Sequence, residues 1–149
     1  MLIKTEVVIG EVTTQVFIVS DVMTFGTPVY KVIDEITEVT VDDCLICTDK
    51  VVFNGTLIKN LIFKEQPDSR TGEGRVLFHE TRLPFTGFVE VPGAEPGDIC
   101  QVESTRVGDC NFLLPLTRDA WGNVLTAQEK TIVELTLKVT RTEQIEVGS

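Results

Sequence analysis

The sequence is poor in positive charge. Its 149 residues carry 13 Lys and Arg against 23 Asp and Glu, for a formal net charge of −10 at pH 7. Nucleic acids and anionic membrane surfaces bind proteins through clustered Lys and Arg, so this balance does not suit either of them. We therefore expect no nucleic-acid partner, and we expect the negative charge to keep free subunits soluble.

Long apolar runs and a secretory leader are also missing. No stretch approaches the roughly 18 consecutive apolar residues of a membrane span, although hydrophobic residues make up 42% of the chain. Residues 1–9 include an acidic residue, and no small-residue cleavage site follows them. The sequence predicts a chain that is made without a signal peptide and does not insert into membranes. Lysis of the producing cell would release it to an extracellular surface.

The residues that most enzymatic mechanisms need are scarce. The single histidine, His79, sits in an alternating segment where strand packing explains it, and there is no Gly-x-Ser-x-Gly motif. Gly72-Glu73-Gly74 lacks the third glycine of a dinucleotide-binding loop. Asp42-Asp43 is not followed by a regular calcium-binding loop. We predict that the chain is not an enzyme and has no catalytic residue, no cofactor and no metal site.

What the sequence has in abundance is the pattern of strands and turns. Runs rich in Val, Ile and Thr are separated by Gly, Pro, Asn and Asp, and apolar and polar residues alternate over residues 131–140. Asn54-Gly55 lies between two apolar pairs and predicts a two-residue hairpin turn. The predicted fold is all-β, a β-sandwich or jelly roll. About eight strands are expected: residues 2–9, 12–19, 29–41, 44–53, 56–64, 75–91, 98–110 and 130–147.

The N-terminal segment stands apart. Residues 1–27 are predicted to form a β arm with a hinge, and residues 28–149 a sandwich domain. Val16–Val19 places apolar side chains on both faces of a strand, as in a strand covered on both sides. The arm either packs into its own domain or adds to a sheet of a neighbouring subunit. In the second case the predicted contact residues are Ile3, Val7, Ile9, Val16, Phe17, Ile18 and Val19.

From about Pro28 onward the sequence resembles the SPOCS domain, the β-rich module of clostridial and bacillar spore coat assembly proteins. The resemblance is carried by residues 51–63 and 82–97, where Pro-Phe-x-x-Phe precedes Pro-Gly-x-x-Pro-Gly, and continues at residues 101–103 and 134–140. It implies a non-enzymatic role in a spore envelope or on a cell surface. The implied partners are copies of the chain itself or other spore envelope proteins.

Coat-assembly proteins of this kind usually carry several such modules and a carbohydrate-binding LysM domain, whereas this sequence has one module. We therefore expect a subunit that self-associates by β-strand addition into a filament or layer, and not a peptidoglycan anchor. Two alternatives stay open. One is a monomeric adaptor that binds another spore coat protein, and the other is a cysteine-based metal-binding protein.

The four cysteines are not part of that resemblance. On a strand rising ~3.3 Å per residue, Cys44 and Cys47 would lie roughly 10 Å apart on opposite faces. Cys100 and Cys110 would be about 33 Å apart by the same rise. Because a disulfide needs Cα atoms about 4.4 to 6.8 Å apart, neither local pair can bridge without a turn or bulge. Pairing between the two groups, pairing between subunits and free thiols are the remaining possibilities for these four residues.

Overall fold

The computed structural model describes residues 1–148, and within them it contains seven strands and no helix. The strands are β1 (Leu2–Val19), β2 (Met23–Val29), β3 (Lys31–Cys47), β4 (Lys50–Lys64), β5 (Val76–Glu90), β6 (Ile99–Arg118) and β7 (Val124–Glu146). The predicted all-β class is confirmed, with seven strands where about eight were expected. No helix that could span a membrane occurs in the described part of the chain.

The strands form two antiparallel sheets. In the first sheet β7 is central: β1 and then β2 pair along one of its sides, and β6 pairs along the other. In the second sheet β4 lies between β3 and β5. The two sheets pack face to face, with β3 near β6 on one flank and β1 near β5 on the other. The result is the predicted sandwich.

The core lies between β4 and β7, the central strands of the two sheets. Every second residue of each strand points inward, as strand geometry requires. Val133, Leu135, Leu137 and Val139 of β7 have no exposed surface, which confirms the alternation predicted for residues 131–140. Facing them from β4 are the buried residues Val51, Phe53 and Leu57. Leu61 and Phe63 of β4 pack in a second cluster with residues of β2 and the start of β7. These two rows join the sheets into one folding unit.

The hairpin turn predicted at Asn54-Gly55 is wrong. β4 runs unbroken from Lys50 to Lys64, and Gly55 pairs with Val41 on one side and Phe85 on the other. A Cβ atom on Gly55 would lie 2.6 Å from Cζ of Phe85 and would also collide with the Thr40 carbonyl. Glycine is needed here because a neighbouring carbonyl and an aromatic ring both crowd this position, not because the backbone turns.

The actual hairpin between β3 and β4 is six residues earlier. Cys47 pairs with Lys50, so Thr48 and Asp49 form the two-residue loop, and Asp49 takes the left-handed conformation with φ of 60°. Asp tolerates this conformation better than most residues. The predicted break near Gly10 is also wrong, because β1 continues through it with only a bulge between Val8 and Gly10.

The end of the predicted arm, where the hinge was expected, is mostly a strand. Only residues 20–22 separate β1 from β2, and β2 then pairs with β7 beyond the end of β1. Phe25 and Val29 of β2 are buried. The two strands therefore lie end to end along one side of β7. Whether residues 1–27 behave as a separate arm stays a prediction.

Candidate assembly edge and buried ionic cluster

β1 is covered on one face within a single chain. Its backbone pairs with β7 from Leu2 to Val19. Of the seven predicted contact residues, the following pack in the core: Ile9, Val16 and Ile18. Val7 is half-buried, and the following are exposed: Ile3, Phe17 and Val19. The outward face therefore presents Phe17, which is 63% exposed, beside Val19.

The outer backbone edge of β1 is unusually free of protection against pairing. Its last eight residues, Val12–Val19, contain no charge, no proline and no register shift. Within residues 1–148 this edge has no strand partner on its outer side. Natural proteins normally blunt such edges with charges, prolines or bulges, because an exposed flat edge is a template for another chain. We refer to Val12–Val19 as the open edge.

The other long strands at the sheet edges carry the protection that the open edge lacks. β3 has five acidic residues and two register shifts. β6 has Pro115 and four register shifts. β5 has no register shift, but it contains Pro84, Glu80 and Arg82. The open edge is thus the stretch best suited to strand addition in the described chain.

A disulfide closes the flank of the sandwich between β3 and β6. Cys44 on β3 bonds to Cys100 on β6, with Cα atoms 6.0 Å apart. Pairing between the two cysteine groups is therefore the arrangement that the structure adopts. Cys47 and Cys110 are free and exposed. With two cysteines bonded to each other, the four thiolates that a zinc site would need are not available together.

The other candidate residues do not assemble into a site. The His79 ring packs edge-on against Phe25, with centroids 5.1 Å apart, which is a packing role. Asp42 accepts hydrogen bonds from the hydroxyls of Thr40 and Thr56. No group of three or more His, Cys, Asp or Glu residues that could hold a metal ion occurs within residues 1–148.

Between the sheets lies a buried ionic cluster that was not predicted from the sequence. Lys59 on β4 is 1% exposed, and its ammonium contacts Glu129 on β7, whose side chain is 2% exposed. The same nitrogen lies 2.9 Å from Oε1 of Glu35 on β3 and donates a hydrogen bond of 3.1 Å to Thr131. The hydroxyl of Thr131 donates in turn to the Asn111 side chain on β6. Four strands thus meet at one charged centre.

A signal for this cluster was present in the alternation. The inward positions of β4 are odd-numbered from Val51 to Phe63, and Lys59 falls on that series. Glu129 falls on the odd-numbered inward series of β7. A charged residue in register with an apolar face is either misplaced or paired, because an unpaired buried charge is too costly. Two such charges of opposite sign, on the two central strands, indicate a pair.

Charge is not balanced within the cluster, because two carboxylates share one ammonium. Burial raises the pKa of Glu129 to about 7, and the nearby Glu35 carboxylate acts in the same direction, while Lys59 opposes both. Removing a carboxylate from water favours its neutral form. Near neutral pH, Glu129 therefore exchanges a proton, and the cluster changes its net charge.

Comparison with known proteins identifies a family. A family model described as SipL, SPOCS domain, matches residues 28–114, which is more than half of the chain. No curated protein and no solved structure matches the chain. The matched span begins at the end of β2 and stops within β6, so it leaves out the pairing of β1 with β7.

The SPOCS family is a structural and assembly family and is not known as an enzyme family. The matched residues include the Pro-Phe-x-x-Phe and Pro-Gly-x-x-Pro-Gly segments that carried the resemblance in the sequence. The chain belongs to the SPOCS domain family and is a sporulation-related or spore coat-related protein.

Proposed function

We propose that this chain is a non-enzymatic structural subunit of a spore envelope, and that it self-associates by β-strand addition into a filament or layer. The observation that supports this most directly is the open edge, Val12–Val19, with its unpaired outer backbone and its exposed Phe17. A second copy that pairs with this edge satisfies main-chain donors and acceptors and covers Phe17 and Val19. Family membership supports the assembly role.

The distribution of charge explains how the subunit stays soluble before it assembles. The net charge of −10 repels free copies. The open edge itself carries no charge, so repulsion is weakest where backbone pairing is possible. Association should therefore strengthen as salt screens the remaining surface, since the Debye length falls from ~30 Å at 0.01 M salt to ~8 Å at physiological ionic strength.

The test is a charge placed on the open edge. Phe17→Lys replaces an exposed aromatic side chain of β1 with a cation. The matched control is Phe112→Lys, which makes the same change on β6, on the same outward face of the sheet, where Phe112 is 51% exposed. We expect wild type and F112K to form species larger than a monomer in light scattering and electron microscopy, and F17K to stay monomeric. Unfolding curves verify that both variants fold. A wild-type protein that is monomeric at high concentration, or equal assembly of both variants, contradicts the proposal.

A second experiment separates edge addition from exchange of the whole arm. The hydroxyls of Thr13 on β1 and Thr136 on β7 lie 3.0 Å apart, so Thr13→Cys with Thr136→Cys creates a pair able to bridge. The background carries Cys47→Ser and Cys110→Ser to remove the exposed thiols. Edge addition leaves the new disulfide inside each chain, so non-reducing gels show a monomer. Arm exchange links successive chains and produces a ladder that reductant removes.

A further inference from the structure

An apolar cleft lies beside the buried ionic cluster, between β2, β3, β6 and β7. Its volume is about 330 Å³. Two polar residues, Glu35 and Asn111, also line it. The apolar residues that line it are Phe25, Val29, Val32, Leu113, Pro115 and Val124. Mostly apolar walls with a few polar groups are typical of small-molecule sites.

Glu35 is the polar group that stands out in this cleft. Its Oε1 atom lies 2.9 Å from the Lys59 ammonium. Protonated Glu129 shares a hydrogen bond with the Glu35 side chain, but when Glu129 is ionised the buried Oε2 atom of Glu35 has no hydrogen-bond partner among the described residues. Buried polar atoms are nearly always hydrogen-bonded, so an unpartnered oxygen on a carboxylate that lines a cleft indicates a missing donor once Glu129 has lost its proton. Lys59 does not supply that donor, because its other contacts are Glu129 and Thr131.

The charges around Glu35 favour a cationic donor. Lys59 from β4 is the one cation in the cluster, and it faces two carboxylates, Glu35 from β3 and Glu129 from β7. The remaining polar neighbours, Thr131 and Asn111, are uncharged. When both carboxylates are ionised, the cluster is short of one positive charge. A neutral ligand would leave that imbalance in a poorly solvated site.

We propose that the cleft binds a primary alkylammonium group, with the ammonium on the carboxylate of Glu35 and the aliphatic stem against the apolar walls. The group has two possible sources, a free amine and the lysine side chain of another protein chain, and both present the same chemistry. A charge-assisted hydrogen bond to a buried carboxylate supplies the specificity. Burial of the methylene stem supplies further affinity.

Titration of the full chain followed by NMR tests this inference, with hexylammonium, Nα-acetyl-lysine amide and hexanol as probes. The measurements are made at pH 8, above the pKa of about 7 of Glu129, so that the Glu129 carboxyl is ionised. We expect hexylammonium to bind about tenfold to hundredfold more tightly than hexanol, because hexanol lacks the charge. The shifted resonances should be those of Val32, Glu35, Leu113 and Val124.

The deciding variant is Glu35→Gln, with Glu38→Gln on the outward face of β3 as the control. E35Q should weaken hexylammonium binding at least about tenfold and leave hexanol binding unchanged, which also shows that the cleft is intact. E38Q should bind both probes as wild type does. Binding of the capped lysine indicates a protein ligand, and binding of hexylammonium alone indicates a free amine. Equal binding of hexanol and hexylammonium, or no binding of either amine, overturns the proposal.

Discussion

Replacing Glu129 with Gln should remove a pH dependence of stability that the buried cluster builds into the fold. Burial raises the pKa of Glu129 from 4.5 to about 7 in the folded protein. One pKa unit corresponds to about 1.36 kcal/mol, so a shift of this size is worth about 3 kcal/mol. The side chain is 2% exposed, so solvent screening does not reduce this figure much.

The sign follows from which state holds the proton. Between pH 4.5 and 7 the folded chain keeps the proton of Glu129, whereas the unfolded chain releases it. The free energy of unfolding therefore falls as the pH rises through this interval. Other carboxyl groups have a lowered pKa, such as Glu65 beside Arg75 and Asp98 beside Arg141. Their contribution to the free energy of unfolding is lost only at more acidic pH. Their contribution lies outside the measured window.

The assay is urea unfolding at pH 5, 6, 7 and 8 for wild type, E129Q and the control Glu134→Gln. Glu134 also lies on β7 but on its outward face, where its side chain is 30% exposed and lies 3.4 Å from Arg106. We expect wild type and E134Q to lose up to about 3 kcal/mol from pH 5 to 8, and E129Q to lose much less. A flat or rising wild-type curve refutes the reasoning, as does an equal loss in E129Q.

Three further outcomes follow from the core. Gly55→Ala should lower the free energy of unfolding by about 1 to 3 kcal/mol, because its Cβ would collide with a packed ring. The control is Gly26→Ala, whose Cβ meets nothing within 4 Å. It should change the free energy of unfolding by less than about 0.5 kcal/mol. Lys59→Met should cost about 3 to 5 kcal/mol at pH 8, with a smaller loss at pH 5, where Glu129 is protonated. Cys44→Ser should cost roughly 2 to 4 kcal/mol by urea unfolding, since the disulfide closes a loop with a sequence separation of 56, and reductant should then have no further effect. Equal effects of the two glycine substitutions would contradict the first prediction. A K59M loss independent of pH would contradict the second, and an effect of reductant on C44S would contradict the third.

Local pattern accounts for the parts of the fold that could be predicted. The alternation in residues 131–140 depends only on which side of a strand each residue faces, and the buried row from Val133 to Val139 follows it. The family resemblance in residues 82–97 is likewise a property of the sequence. These residues lie within residues 28–114, which the family model matches. The cysteine geometry was partly readable as well, because strand rise alone excluded a Cys44–Cys47 bond.

The errors arise where a neighbouring strand decides the local structure. Asn54-Gly55 has the composition of a turn, but its glycine lies under the Phe85 ring on an adjacent strand. The real turn at Thr48-Asp49 lacks glycine, and it forms where the pairing of β3 with β4 places it. No local rule places an aromatic ring over Gly55, because Phe85 is distant from it in sequence.

By itself the sequence determined the all-β class, the approximate strand number, the acidic surface and the family, because these depend on composition, periodicity and motif. Tertiary structure alone decided that Cys44 bonds to Cys100, that Lys59 meets Glu35 and Glu129, and that Val12–Val19 has an unpaired outer edge. Each of these facts is a contact, or the lack of one, between segments far apart along the chain. Packing of the two sheets brings such segments together, and a linear pattern does not specify it.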